Sequence, residues 1–139
     1  MISMKEALLR AKDPNVKHIV SVSGGKDSAA LALYMSQKYP QIPVEYVFCD
    51  THCELPETET YLKQLQSVLG GKEIKRIDAL DMLGFRKRPN RNGVQRNPFK
   101  WYLEDMYSGF LPSPRMRWCT IQLKIKPFEH YVGNDEVIS

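Results

Sequence analysis

Apolar and polar positions alternate along the chain in short blocks that predict regular elements. Met4 to Ala11 carries apolar residues at helical spacing, and Asp13-Pro14-Asn15 supplies the turn chemistry that ends it. His18 to Ser23 (HIVSVS) is a short β-branched run and predicts a buried strand. Ser23 to Asp27 is a glycine-containing turn, and the Ala/Leu-rich stretch Ser28 to Tyr39 predicts a helix stopped by Pro40. Val44 to Asp50 (VEYVFCD) predicts a second strand, Thr51 to Pro56 a loop, and Glu57 to Leu69 a helix closed by Gly70-Gly71. Lys72 to Asp78 (KEIKRID) alternates and predicts a third strand. Strand, helix, strand, helix, strand implies parallel pairing with right-handed crossovers.

The pattern changes after Asp78. Leu80 to Asn97 is basic, rich in Pro, Asn and Gly, and without periodicity, which predicts a long functional loop over 80–98. Pro98 to Tyr107 predicts a helix, Gly109 to Pro114 a linker, and Cys119 to Tyr131 a helix that Pro127 kinks. The fold class is α/β: an open, mostly parallel, Rossmann-like sheet with flanking helices, in one domain over residues 1–139. In such a sheet the first strand sits centrally, so a further strand is expected on its other side. Three readings meet that need: the chain is a fragment, a partner subunit or second copy covers the open edge, or Glu136-Val137-Ile138 adds a short strand.

Composition narrows the class. At 139 residues, with 42% hydrophobic and 26% charged residues, the chain is long enough to bury a core without staples. No apolar run approaches the roughly 20 residues that span a bilayer, and Met1 to Lys17 lacks a signal-peptide core, so a cytoplasmic protein is expected. Three cysteines, Cys49, Cys53 and Cys119, do not suggest a disulfide framework. Charge is uneven: residues 1–85 hold 10 basic against 11 acidic side chains, and residues 86–139 hold 10 against 5. The basic C-terminal part suits a polyanion, either a nucleotide's phosphates or a nucleic acid.

The chemistry concentrates in Ser23-Gly24-Gly25-Lys26-Asp27-Ser28, which joins the first strand to a helix. Two glycines let the backbone turn tightly and approach a ligand. Amide N–H groups at the helix N-terminus then face outward with the positive end of the helix dipole behind them. Ser23 and Ser28 add hydroxyl donors and Lys26 a charge. Asp27 is unexpected beside an anion, and its natural task is to hold Mg²⁺ bridging phosphates. The plain alternative is a capped strand-to-helix turn. The spacing is neither that of a Walker A loop nor that of Gly-x-Gly-x-x-Gly.

This six-residue string resembles the PP-loop of the adenine nucleotide alpha-hydrolase superfamily. Cys49-Asp50-Thr51-His52-Cys53-Glu54-Leu55-Pro56-Glu57-Thr58 is similar to the Asp-Thr-Gly…Pro-Glu-Thr segment of phosphoadenosine phosphosulfate (PAPS) reductases. Arg117-Trp118-Cys119-Thr120-x-x-Leu123-Lys124-x-x-Pro127 is similar to their basic Cys…Lys-x-x-Pro segment. The matches come in family order. The resemblance implies an adenine nucleotide, ATP or PAPS, bound through Ser23 to Ser28 with Mg²⁺ at Asp27, and Lys26 and Asp27 as the catalytic pair. It places Asp50 and Thr51 near the adenosine and ranks Arg117 and Lys124 as phosphate or sulfate ligands. In an α-helix beginning near Arg117, seven residues of spacing puts both on one face.

Departures qualify what is carried over. The tail Val132 to Ser139 holds no cysteine in the Glu-Cys-Gly context that a sulfonucleotide reductase uses as nucleophile. The tandem Cys-Cys pairs of cluster-bearing members are missing, so an iron–sulfur cluster is not expected and Cys49 reads as a structural thiol. Related PP-loop proteins split ATP between its α and β phosphates and adenylate a substrate. Sulfur transfer or substrate adenylation is therefore expected, or else a non-catalytic nucleotide-binding subunit of a larger complex linked to nucleic-acid modification. The 86–100 stretch (Arg86, Lys87, Arg88, Arg91, Arg96, Lys100) with Trp101 and Tyr102 admits a nucleic-acid partner, a closing loop over a nucleotide, or a solvated loop.

Overall fold

The structure, a computed structural model, describes residues 2–83 and 97–139. Most of the predicted basic loop, including Arg86, Lys87, Arg88, Arg91 and Arg96, lies outside the described residues.

Helix α1 spans Met4–Arg10, and Ser3 caps it by accepting from the Glu6 amide. The Asp13 carboxylate accepts from the Asn15 amide at 2.9 Å, closing a turn that releases the chain into β1 at Val16. Strand β1 (Val16–Val22) thus begins two residues before the β-branched run that predicted it. Helix α2 (Lys26–Lys38) follows the glycine turn, then β2 (Val44–Asp50), α3 (Pro56–Val68) and β3 (Ile74–Asp78). Pro56 occupies the first turn of α3, where its missing N–H costs nothing. Gly70 and Gly71, both with positive φ, end α3 as the sequence predicts.

The four strands form one parallel sheet in the order β3-β2-β1-β4, where β4 is Glu136–Ile138. The fourth strand is therefore the C-terminal tail, the third of the readings open to the sequence. Its register beside β1 pairs Val16 with Glu136 and His18 with Ile138. Lys17–Asp135 and Arg10–Glu136 ion pairs flank it, at 2.6 Å and 2.9 Å.

By packing, the chain divides into two compact units. The first comprises Met1–Phe48, Leu55–Arg76 and Val132–Ser139. Its core joins Val20 and Val22 of β1 and Tyr46 and Phe48 of β2 to Ala29 and Ala32 of α2 and Leu62 and Leu65 of α3. Small alanines on α2 let that helix lie close to the strands, while α3 fills its side with leucines. Each such buried leucine or valine contributes on the order of 1.5–3 kcal/mol.

The second unit comprises Cys49–Glu54 and Ile77–Tyr131. Its core is aromatic: Trp118 stacks on Tyr107 with centroids 4.7 Å apart and meets Phe99 at 5.2 Å. The Trp118 indole N–H donates to the Phe110 carbonyl at 3.0 Å, so its one polar atom is satisfied. Around it lie α4 (Ala79–Leu83), α5 (Pro98–Trp101), α6 (Trp118–Thr120) and α7 (Lys126–Val132). Helix α4 corrects the predicted start of the long loop, since Leu80 is buried in a helix. Helix α5 continues into a π turn over Tyr102–Met106, and a second π turn over Ile121–Ile125 joins α6 to α7. The second stands directly before Pro127, which has no N–H to return to Leu123. The predicted kink therefore takes the form of a widened turn.

Candidate functional site

The glycine turn is built as an open cradle. Gly24 has φ +80°, a left-handed conformation that a side chain disfavours, and a Cβ there would stand 3.2 Å from the Thr58 methyl of α3. Gly25 is the N-cap of α2 and, lacking a side chain, offers no capping bond. The amides of the first helical turn have no intrahelical acceptor by geometry. They are thus open to water or to an anion, with the positive end of a 13-residue helix dipole behind them.

The serines shape the cradle. Ser28 Oγ accepts from the Ser23 amide at 3.1 Å and donates to the Gly25 carbonyl at 3.1 Å, and Ser23 Oγ lies 3.2 Å from Ser28 Oγ. The Tyr61 hydroxyl of α3 donates to the same Gly25 carbonyl at 3.4 Å. Ser28 thus spends its hydroxyl hydrogen on the loop itself, a role the sequence reading did not assign. Lys26 and Asp27 stand exposed in the first turn of α2, which begins at Lys26 instead of Ser28. Neither has an ion-pair partner among the described residues.

The remaining predicted residues belong to the second unit. Asp50 ends β2, and its Oδ1 accepts from the His52 amide at 2.8 Å. Thr51 donates to Glu54 at 2.8 Å and accepts from the Cys53 amide at 3.3 Å. Both side chains therefore organise the loop after β2. Arg117 is the N-cap of α6 and lines a shallow recess of about 440 Å³ with Pro112, Ser113, Pro114, Cys119 and Thr120. Lys124 is exposed in the π turn. Because that wider turn intervenes, seven residues of spacing no longer defines a shared face for Arg117 and Lys124. Their grouping rests on the family segment and on charge.

The cysteines occupy three environments. The Cys49 thiol donates to the Lys124 carbonyl at 3.6 Å. Burial pushes that thiol up from its ordinary value, and the Lys124 charge offsets part of the rise. Cys53 is exposed beside the Asn97 side chain, whose amide nitrogen lies 3.4 Å from Sγ. Cys119 packs against the Trp118 cluster.

Sequence reasoning gives Asp78 no role and His52 only a place near the cysteines on the rim of the sheet. His52 has φ +60°, and its Nε2 lies 2.9 Å from Asp78 Oδ2. Asn97 donates to the His52 carbonyl at 2.8 Å. A recess of about 590 Å³ in the first unit, lined by His18, Leu31, Met35, Val44 and Val137, contains none of the predicted residues. It is apolar, whereas the glycine turn presents a helix end with no side-chain cap and is the candidate site. No helix among the described residues is long and apolar enough to cross a membrane.

No curated protein and no solved structure is significantly similar to the chain. Residues 17–131 match the phosphoadenosine phosphosulfate reductase domain, a span that runs from β1 into α7 and takes in all three motif segments. With that match over most of its length and a parallel sheet that leads into a PP-loop, the chain belongs to the phosphoadenosine phosphosulfate reductase domain family, within the PP-loop adenine nucleotide alpha-hydrolase-like superfamily.

Proposed function

We propose that the protein binds ATP through Ser23 to Ser28 and transfers its adenylyl group to an acceptor, releasing pyrophosphate. The observation that carries this reading is the uncapped N-terminus of α2 behind the Gly24-Gly25 turn. Its free amides suit a chain of phosphate oxygens, and they need no rearrangement to receive one.

Asp27 favours a triphosphate. A lone carboxylate beside an anion cradle repels the ligand unless a cation lies between them. Mg²⁺ takes one or two protein carboxylates and completes its shell with waters and phosphates, so the single exposed Asp27 fits it. Bound there, Mg²⁺ would neutralise charge on the departing pyrophosphate. Lys26 then provides a second positive charge for the same oxygens. Asp50, Thr51, Arg117 and Lys124 complete the proposal by their family segments, with the basic pair reading phosphate or sulfate oxygens.

Calorimetric titration with ATP, PAPS and AMP, with and without Mg²⁺, tests the reading, alongside an assay for pyrophosphate. Mg²⁺-dependent ATP binding and AMP plus pyrophosphate as products are expected. Tighter binding of PAPS than of ATP would reassign the site to sulfonucleotide chemistry. Binding of ATP without turnover on any acceptor would favour a nucleotide-binding subunit.

A further inference from the structure

We propose that the apolar recess of the first unit is a binding site for a small neutral molecule, one with an apolar body and a single hydroxyl or carbonyl group that pairs with His18 Nε2. The recess shares no residue with the Ser23 to Ser28 turn, so the assignment does not depend on the nucleotide.

The recess begins with strand alternation. In β1, Val16, His18 and Val20 project to one face of the sheet. Val20 packs there in the core with Ala29 and Ala32 of α2. His18 pairs in register with Val44 of β2 on one side and with Ile138 of β4 on the other. Leu31 and Met35, one turn apart on α2, and Met4 and Ala7, one turn apart on α1, line the recess together with His18. Its volume of about 590 Å³ falls within the range of about 300–1,000 Å³ usual for small-molecule sites. Met4 and Leu31 keep 39% and 50% of their surface exposed, so the apolar wall continues to the mouth.

His18 is the observation that points to a ligand. It is 5% exposed, and its Nε2 has no hydrogen-bond partner among the described residues. A buried polar atom is normally paired, because one left unpaired has lost its bond to water and gained nothing. Among the described residues no other side-chain nitrogen or oxygen of the lining is buried in that condition. Water is a poor substitute, since a buried water is held by about three hydrogen bonds and apolar walls supply none. A neutral imidazole offers Nε2 as a donor in one tautomer and as an acceptor in the other, so a carbonyl or a hydroxyl satisfies it.

Charge selects a neutral ligand. Arg10 belongs to the lining, and Glu6 and Glu136 hold its guanidinium at 3.3 Å and 2.9 Å. Two carboxylates on one guanidinium leave negative charge in excess, which opposes an anion. Among the described residues the lining has no carboxylate side chain to pair with a buried cation.

Three probes of similar shape test the assignment: 4-propylphenol, propylbenzene and 4-propylbenzoate, each titrated by two-dimensional NMR. Expected is saturable binding of 4-propylphenol, with shifts at the residues that line the recess. Its affinity should exceed that of propylbenzene about tenfold, the worth of one hydrogen bond, and 4-propylbenzoate should bind most weakly. His18→Phe should cancel the preference for the phenol. Leu31→Trp, at an exposed position, should fill the recess and abolish phenol binding. If the buried His18→Phe chain does not fold, Leu31→Trp and the wild-type comparison decide. Equal affinity of the wild type for 4-propylphenol and propylbenzene, no saturable binding of the phenol, or unchanged binding by Leu31→Trp overturns the site. Tightest binding of 4-propylbenzoate overturns the neutral assignment. Dimerisation in sedimentation that Leu31→Trp abolishes would place a second copy of the chain in the recess and overturn the small-molecule site.

Discussion

Gly24→Ala tests whether the turn, and not merely its charge, makes the cradle. The residue sits at φ +80°, where an L side chain costs about 1–2 kcal/mol relative to glycine. The new methyl would also stand 3.2 Å from Thr58 Cγ2, a few tenths of an ångström inside the usual carbon–carbon optimum of about 3.5–4.0 Å. Thr58 lies on α3, so the crowding is relieved only by moving the loop or tilting a packed helix. Together the two effects should destabilise the protein by about 2 kcal/mol in urea unfolding. A displaced turn also misdirects the amides, and ATP affinity should fall about tenfold, which is about 1.4 kcal/mol. Thr58→Ser removes the methyl in question and leaves the hydroxyl. In a double-mutant cycle it should recover the crowding part of the loss but not the backbone part. Unchanged unfolding midpoint and unchanged ATP affinity in Gly24→Ala would show that the left-handed turn is not required, and the cradle argument would fail.

Four further outcomes follow from the same structure. Asp27→Asn should weaken ATP binding in the presence of Mg²⁺ and leave metal-free binding equal or tighter, since it removes a repelling charge; identical titrations with and without Mg²⁺ would end the metal role. Because burial holds the Cys49 thiol protonated, it should alkylate far more slowly than exposed Cys53 at pH 8, read by peptide mass spectrometry, with equal rates as the refuting result. The raised folded value also has a sign for stability: its contribution is complete below the ordinary thiol value of 9.0 and is lost as pH rises above it through the folded value, so the unfolding midpoint should fall in that alkaline window and should fall less in Cys49→Ala, where the raised Tyr46 and Tyr102 hydroxyls still contribute. Trp118→Ala should cost about 3–5 kcal/mol and abolish the near-ultraviolet dichroism of the stacked rings, whereas Trp118→Phe should retain part of both.

The parts of the fold that were legible are those written in local pattern. HIVSVS and VEYVFCD announce strands because a parallel sheet buried on both faces selects β-branched and aromatic runs. The candidate cradle is legible because a turn and a helix N-cap draw on the same six adjacent residues that an anion site would need. The limits appear where geometry depends on distant partners. Val16 joins β1 because Asp13 closes a turn behind it, which shifts the strand two residues ahead of the hydrophobic run. Pro127 signals a kink, but nothing in the sequence says that the chain will absorb it as a π turn before the proline. That detail alters the angular relation between Arg117 and Lys124, the pair proposed to read phosphate or sulfate oxygens.

His52 shows the same limit in the loop after β2. In sequence it is one histidine in a loop, and a lone histidine more often satisfies a neighbour than performs chemistry. Its partner Asp78 is 26 residues away, and Asn97 is 45 away, so the clamp exists only after β2 and β3 have been laid down. One local signal was available. A histidine in the place where the family segment carries glycine is a residue forced into a glycine conformation, and strain of that kind requires compensation from its surroundings. The compensation is visible as two backbone hydrogen bonds and a buried carboxylate on the ring. Asp50 is thereby given a second meaning. Whatever it contributes to a nucleotide, its carboxylate already holds the His52 amide, so Asp50→Ala should remove the strain's support together with any ligand contact. Asp50→Asn separates the two, because its carbonyl oxygen still accepts from that amide while its charge is gone. Loss of activity in Asp50→Asn would show that the charge is needed beyond the His52 amide, whereas activity retained in Asp50→Asn and lost in Asp50→Ala would make Asp50 a support of the loop.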